Sequence, residues 1–130
     1  MMYHLLSFFL KLLSYIPFGV LYFLSDGLFC LLYYVIRYRR RIVRKNLTES
    51  FPEKSERDIL QLEKKFYHFF TDQVLESCKM ASISQEVIKR RMTFKNMEKV
   101  NAVLREGKSI ALYMGHYGNW EWVSSFPLWL

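Results

Sequence analysis

The chain has 130 residues, 52% hydrophobic and 18% aromatic, with 19 Lys and Arg against 12 Asp and Glu for a net charge of +7. That length supports one small domain with a modest core. The charge is concentrated in one block, so the chain is not basic throughout, and two cysteines with no CxxC spacing suggest neither a zinc site nor a disulfide framework.

The first element is apolar. "LLSYIPFGVLYFLSDGLFCLLYYVI", Leu12 to Ile36, is long enough to cross a bilayer, which takes about 20 mostly apolar residues. Pro17, Gly19, Asp26 and Gly27 interrupt it. A charge near mid-bilayer costs a few kcal/mol, roughly 2.5–3.5 on insertion scales. Two readings stand: one tilted span with Asp26 facing protein, or two shorter apolar helices broken near Pro17 and dipping into one leaflet. A cleaved signal peptide is disfavoured, because no basic start precedes the apolar run and no small-residue cleavage site follows it. Cys30, in this run, and Cys78 are expected as small buried side chains.

The next stretch, "RYRRRIVRK", holds Arg37, Arg39, Arg40, Arg41, Arg44 and Lys45 without an acid. Such a block beside an apolar segment marks the cytoplasmic side and attracts anionic headgroups, at about 1 kcal/mol per charge. Tyr33, Tyr34 and Tyr38 stand where interfacial aromatics are expected. A nucleic-acid patch is the rival reading, but no base-stacking or groove-reading motif accompanies it.

"SERDILQLEKKFYHFFTDQVLESCKM" predicts an amphipathic helix. Ser55 and Asp58 form a capping-box-like start after Pro52, and Ile59, Leu62, Phe66, Phe69, Phe70 and Val74 are expected to make one apolar face. His68, a lone histidine among aromatics, reads as structural. Ser84 is placed to cap a short helix running through Val87 to Arg91. Met92–Phe94 then reads as a short strand. "NMEKVNAVLREG" reads as a helix with Met97, Val100, Val103 and Leu104 on one side and Gly107 ending it. "SIALYM", Ser109 to Met114, reads as a buried strand. Strand, helix and strand in this span predict a βαβ unit and a parallel sheet.

"MGHYGNWEW" follows that second expected strand, at the carboxyl end where sites gather in open α/β sheets. On a continuous helix, five residues turn the direction by about 140° net, which would point His116 and Glu121 apart. Gly115 and Gly118 allow the chain to bend between them, and Asn119 is a suitable N-cap for a following helix. A carboxylate beside an imidazole fixes its tautomer and stabilises the imidazolium, which makes His116 a candidate general base. The segment offers no protein nucleophile, so attack by a substrate hydroxyl is the simpler scheme. Histidine beside glutamate also occurs as a plain structural pair, so the spacing leaves both readings open. A metal site is not indicated: HExxH is absent.

"GHYGNWEW" resembles the HxxxxE/D signature of membrane-associated acyltransferases, in the H-x-G-N-W-E form of the late lipid A (lauroyl/myristoyl-type) acyltransferases. "RRRIVRKNLTESFPEKSERD" is similar to that family's N-L-x-x-x-F-P stretch, and "LREGKSIALYMGHYGNWE" to its G-K approach to the histidine. The resemblance implies acyl transfer at the cytoplasmic face of the inner membrane, from acyl carrier protein to a hydroxyl of a lipid A precursor. By position it makes His116 the general base and Glu121 its orienting partner, with Gly115, Gly118, Asn119 and Trp120 shaping the turn. The basic block would hold the enzyme at membrane lipid and offer a surface to the acidic carrier protein. No metal, organic cofactor or nucleic acid is implied. Two other readings stand beside it: an acyltransferase for a lysophospholipid or aminolipid, and a non-catalytic membrane-bound interaction protein.

The expected fold is therefore α/β: a membrane-anchored acyltransferase-like fold of apolar N-terminal helices, an amphipathic helical region and a first βαβ unit. The expected divisions are 1–36 (membrane-associated), 37–50 (basic, juxtamembrane) and 51–130 (start of the α/β domain). Members of the resembled family are roughly twice this length or more, so the chain is expected to be an amino-terminal portion, inactive by itself.

Overall fold

The computed structural model describes residues 2–130, with side chains described for His4 and from Ser7 onward. They gather into two compact units, Met1–Ala81 and Ser82–Leu130.

In the first unit, helix α1 (Met2–Tyr15) ends before Pro17, and α2 (Phe18–Cys30) begins after it. Pro17 lacks an N–H and disfavours helix for the residue before it, so the apolar run breaks there. The break near Pro17 in the run Leu12–Ile36 is as expected. The second helix continues through a π-helical turn, Leu31–Val35. Together, Phe18–Val35 form one helical stretch long and apolar enough to cross a membrane. Helix α3 (Arg40–Ser50) carries most of the basic block, and α4 (Glu56–Lys79) is the long helix on which α1, α2 and α3 all pack.

α4 starts as its sequence dictates. Ser55 is the N-cap and accepts a hydrogen bond from the Asp58 N–H, an arrangement that contributes about 1 kcal/mol. Its buried face differs from the expected one. The residues turned inward are Ile59, Glu63, Tyr67, Thr71 and Leu75, spaced four apart, whereas Phe66, Phe69 and Val74 are exposed. The apolar face predicted the helix, but a neighbouring row is the one that packs. Phe29, Tyr33 and Tyr67 form the core cluster, with Val43 against it. Tyr33, expected at an interface, is thus a core residue, and its neighbour Tyr34 is exposed. Cys30 is exposed rather than buried, and Cys78 is partly buried.

Polar contacts fix the helices around α4. The Lys79 Nζ donates to the Ser14 carbonyl at 2.6 Å, meeting the last turn of α1. The Tyr22 hydroxyl donates to Glu76 at 2.6 Å. Asp26, the charge inside the apolar run, lies 3.5 Å from His68, whose ring stacks on Phe29 at 3.6 Å. His68 is structural here, as its surroundings predicted.

The strongest of these contacts involves Glu63, which is fully buried. Arg40 Nε reaches it at 2.8 Å and Arg44 Nε at 2.7 Å, and the Arg40 guanidinium also lies 4.1 Å over the Tyr33 ring. Burial of Glu63 opposes its charge, but hydrogen bonds from Arg44 and Arg40 outweigh that and hold its carboxyl below the usual carboxylate range.

In the second unit, α5 (Gln85–Arg91) is capped by Ser84, whose hydroxyl accepts from the Val87 N–H, and α6 (Met97–Arg105) is ended by Gly107 at φ +71°. Both follow the sequence. The expected α/β fold does not form: among the described residues there is no β-strand. Met92–Phe94 is non-helical but enters no ladder, and Ser109–Met114 is non-helical and exposed, with Tyr113 95% accessible. A strand is completed by the donors and acceptors of a neighbour, and these two runs do not supply each other's. The βαβ expectation is overturned: neither run forms a strand and no sheet pairs them. The unit is instead closed by a 3₁₀ helix, Trp120–Trp129, pinned where Phe94 meets Phe126 and Trp129 edge-on, each at 5.0 Å.

The ion pair predicts an asymmetry. The double variant Arg40→Ala/Arg44→Ala leaves a buried carboxylate without a cation and should cost about 3–5 kcal/mol. Glu63→Gln should cost less, about 1–2 kcal/mol, because the arginine side chains are 25% and 46% exposed and can rehydrate. Denaturant unfolding followed by far-UV circular dichroism measures both, and the reverse order would remove Glu63 as the buried charge. Because the folded-state pKa is depressed, this contribution is complete above the ordinary carboxylate value of about 4.3 and is lost as pH falls through the folded value. The stability gap between wild type and Glu63→Gln should therefore be constant near neutrality and close in acid.

Candidate active site

The turn around His116 is built from backbone constraints. The Tyr117 N–H donates to the Gly115 carbonyl at 2.9 Å, so His116 sits at the centre of a three-residue turn. Gly118 follows at φ +62°, in the left-handed region that favours glycine, and redirects the chain into the 3₁₀ helix. Asn119 occupies the N-cap position and accepts the Trp122 N–H through its backbone carbonyl at 3.3 Å. Its side chain makes no capping hydrogen bond, so the cap expected of Asn119 is supplied by main chain alone.

In a 3₁₀ helix, residues three apart eclipse one another. Trp122 and Ser125 are buried and Leu128 is partly buried, so they form the inner row. Glu121, Ser124 and Pro127 form the outer row, with Glu121 partly exposed. The Ser124 hydroxyl donates to the Glu121 carbonyl at 2.7 Å, and the Ser125 hydroxyl to the Trp122 carbonyl at 2.6 Å. His116 is exposed and meets the Trp120 ring edge-on, 4.8 Å between centroids. The structure thus brings His116 to Trp120. No hydrogen bond or ion pair joins His116 to Glu121 among the described residues. No grouping of His, Cys, Asp and Glu able to hold a metal occurs among the described residues either.

The basic block divides. Arg40 and Arg44 are committed to Glu63, and Lys45 lies 3.7 Å from Glu49 in an exposed pair. Arg37, Arg39 and Arg41 are exposed, and Arg37 and Arg39 both take positive φ, +55° and +50°, on either side of Tyr38. Sequence reasoning treated the six cations alike and passed over Glu63. The available signal was its position four residues from both Ile59 and Tyr67, an acid in the row that turned out to be buried.

The model of the bacterial lipid A biosynthesis acyltransferases matches residues 1–126, nearly the whole chain, and the protein belongs to that family of membrane-associated acyltransferases. It is accordingly an acyltransferase. No curated protein and no solved structure matches it.

The turn makes its own prediction. A Cβ added at Gly115 or Gly118 meets nothing within 4 Å, but only Gly118 has positive φ. Gly118→Ala should therefore cost about 1–2 kcal/mol of backbone strain, and Gly115→Ala should stay within about 0.5 kcal/mol of wild type. All three tryptophans, Trp120, Trp122 and Trp129, lie in this unit, so tryptophan fluorescence during denaturant unfolding reports on it directly. Equal effects at the two glycines would contradict the assigned turn.

Proposed function

We propose that the protein transfers a fatty acyl group from acyl carrier protein to a hydroxyl of a lipid A precursor at the cytoplasmic face of the inner membrane. His116 acts as general base and Glu121 orients it. The acceptor hydroxyl gives its proton to the His116 imidazole as its oxygen attacks the thioester carbonyl. The C–S bond then breaks, and the leaving thiolate takes the proton from the imidazolium. No protein nucleophile and no cofactor enters the scheme. Glu121 engages the imidazole as substrate binds, because hydrogen bonds of this kind are commonly long in free enzymes and tighten in the complex.

The observation that supports this reading is the exposure of His116 at the centre of a tight turn, backed by Trp120, in a chain of an acyltransferase family. The placement at a membrane is supported by the apolar stretch Phe18–Val35 and by the exposed Phe8, Phe9, Leu12, Val20 and Phe23 on the first two helices. Arg37, Arg39 and Arg41 follow that stretch as exposed cations for anionic headgroups or the acidic carrier.

The test uses membranes from cells expressing the protein from its own gene, with labelled acyl carrier protein and lipid A precursor. His116→Ala should lower transfer by about 10²–10⁴-fold, the usual contribution of a general base. Recovery in the membrane fraction should be unchanged. Glu121→Gln should lower transfer by less. Activity retained in His116→Ala would remove His116 from the role.

A further inference from the structure

Two open recesses adjoin one another on α3. One, of about 900 Å³, is formed by α3 and the residues just before it, and its lining includes Arg37, Arg39, Arg41, Ile42 and the acid Glu49. The other is a groove of about 270 Å³ between Ile42 and Val43 on one side and Phe66 and Phe70 on the other, with Arg39 also lining it. Arg39 and Ile42 line both. The groove walls stay open to the outside: Ile42 is 47% exposed and Phe66 41%. Phe66 and Phe70 lie nearly parallel, at an interplanar angle of 12°.

From this juxtaposition we propose that the two recesses together form a binding site for a single anionic membrane lipid, its phosphate held by Arg37, Arg39 and Arg41 beside α3 and one acyl chain lying in the α3–α4 groove along Ile42, Phe66 and Phe70. Charge complementarity supports the headgroup. Arg40 and Arg44 share the charge of Glu63, while among the described residues no acid pairs with the guanidiniums of Arg37, Arg39 and Arg41, and guanidinium forks match phosphate oxygens. The groove supports a chain. It is smaller than the roughly 300–1,000 Å³ of sites that enclose a whole small molecule, so it takes part of a ligand whose remainder lies outside. Position identifies the source. Arg37 comes two residues after the apolar stretch Phe18–Val35, at the depth where headgroups lie if that stretch is embedded. The proposal rests on the membrane placement in the reading above and is independent of acyl transfer.

The experiment is native mass spectrometry of the full chain in dodecyl maltoside, titrated with dioctanoyl phosphatidylglycerol. One lipid per chain should bind saturably. Arg39→Gln and Ile42→Asp should each weaken binding at least tenfold, with circular dichroism unchanged. Arg57→Gln, an exposed arginine at the start of α4, should change it less than twofold. Dioctanoyl phosphatidylcholine should bind at least tenfold more weakly, and inorganic phosphate at the same concentration should not displace the lipid. Equal losses in Arg39→Gln and Arg57→Gln would reduce the effect to net charge and overturn the site. Displacement by inorganic phosphate would make it a free-anion site, and displacement of the lipid by acyl carrier protein, with no preference for the anionic headgroup, would make it a protein-docking surface. Membrane placement is read separately from cell fractionation: a chain recovered outside the membrane, yet binding the lipid one to one in detergent, would defeat the placement and leave the site standing.

Discussion

The first unit depends on one buried carboxylate. Helix α3 begins badly by local rules: Arg39 gives it no side-chain cap, and Arg40 and Arg41 put positive charge on the end of the helix that already carries a positive partial charge. Glu63, from the middle of α4, supplies the compensation that the local sequence lacks. Its two oxygens take the Nε of Arg40 and of Arg44, successive turns of the same helix face, and so fix the rotation of α3. Arg40 in turn covers Tyr33, which packs on Tyr67 and Phe29. One charge thereby ties α3 and α4 to the end of the apolar helix.

The same arrangement sorts the basic block into two jobs. Arginines on the inner side of α3 are structural. Those at and before its start remain outside, in the connection whose direction is set by Arg37 and Arg39 at positive φ. The Tyr67 hydroxyl donates to the Tyr38 carbonyl, so this connection is held to α4 through its midpoint. A short cationic loop held at both the apolar helix and the long amphipathic one is well suited to a membrane surface, where direction matters as much as charge.

The second unit holds the segment from His116 to Glu121 by different means. Nothing there resembles the buried ion pair; the turn is shaped by main-chain hydrogen bonds, one glycine in the left-handed region and the edge-on contact of His116 with Trp120. Glycine spacing predicted the bend between His116 and Glu121, and the bend is present. The partner of His116 in this structure is nevertheless Trp120. The motif's shape is a backbone property and is local; its side-chain pairing depends on what else surrounds it.

The sequence alone determined the features that are paid for locally: the break at Pro17, the Ser55 and Ser84 caps, the ending of α6 at Gly107 and the glycine bend at Gly118. Each follows from dihedral limits or hydrogen bonds within a few residues. Tertiary structure decided which row of α4 faces inward, which arginines are neutralised and whether short apolar runs become strands. Those outcomes turn on contacts between residues far apart in the chain. Phe66 and Phe69 are more apolar than Glu63 and Thr71, yet the latter are buried, because two arginines meet the Glu63 charge and the Thr71 hydroxyl donates to carbonyls of its own helix. Ser109–Met114 has the composition of a buried strand, but burial and pairing require a neighbour, and composition does not specify one.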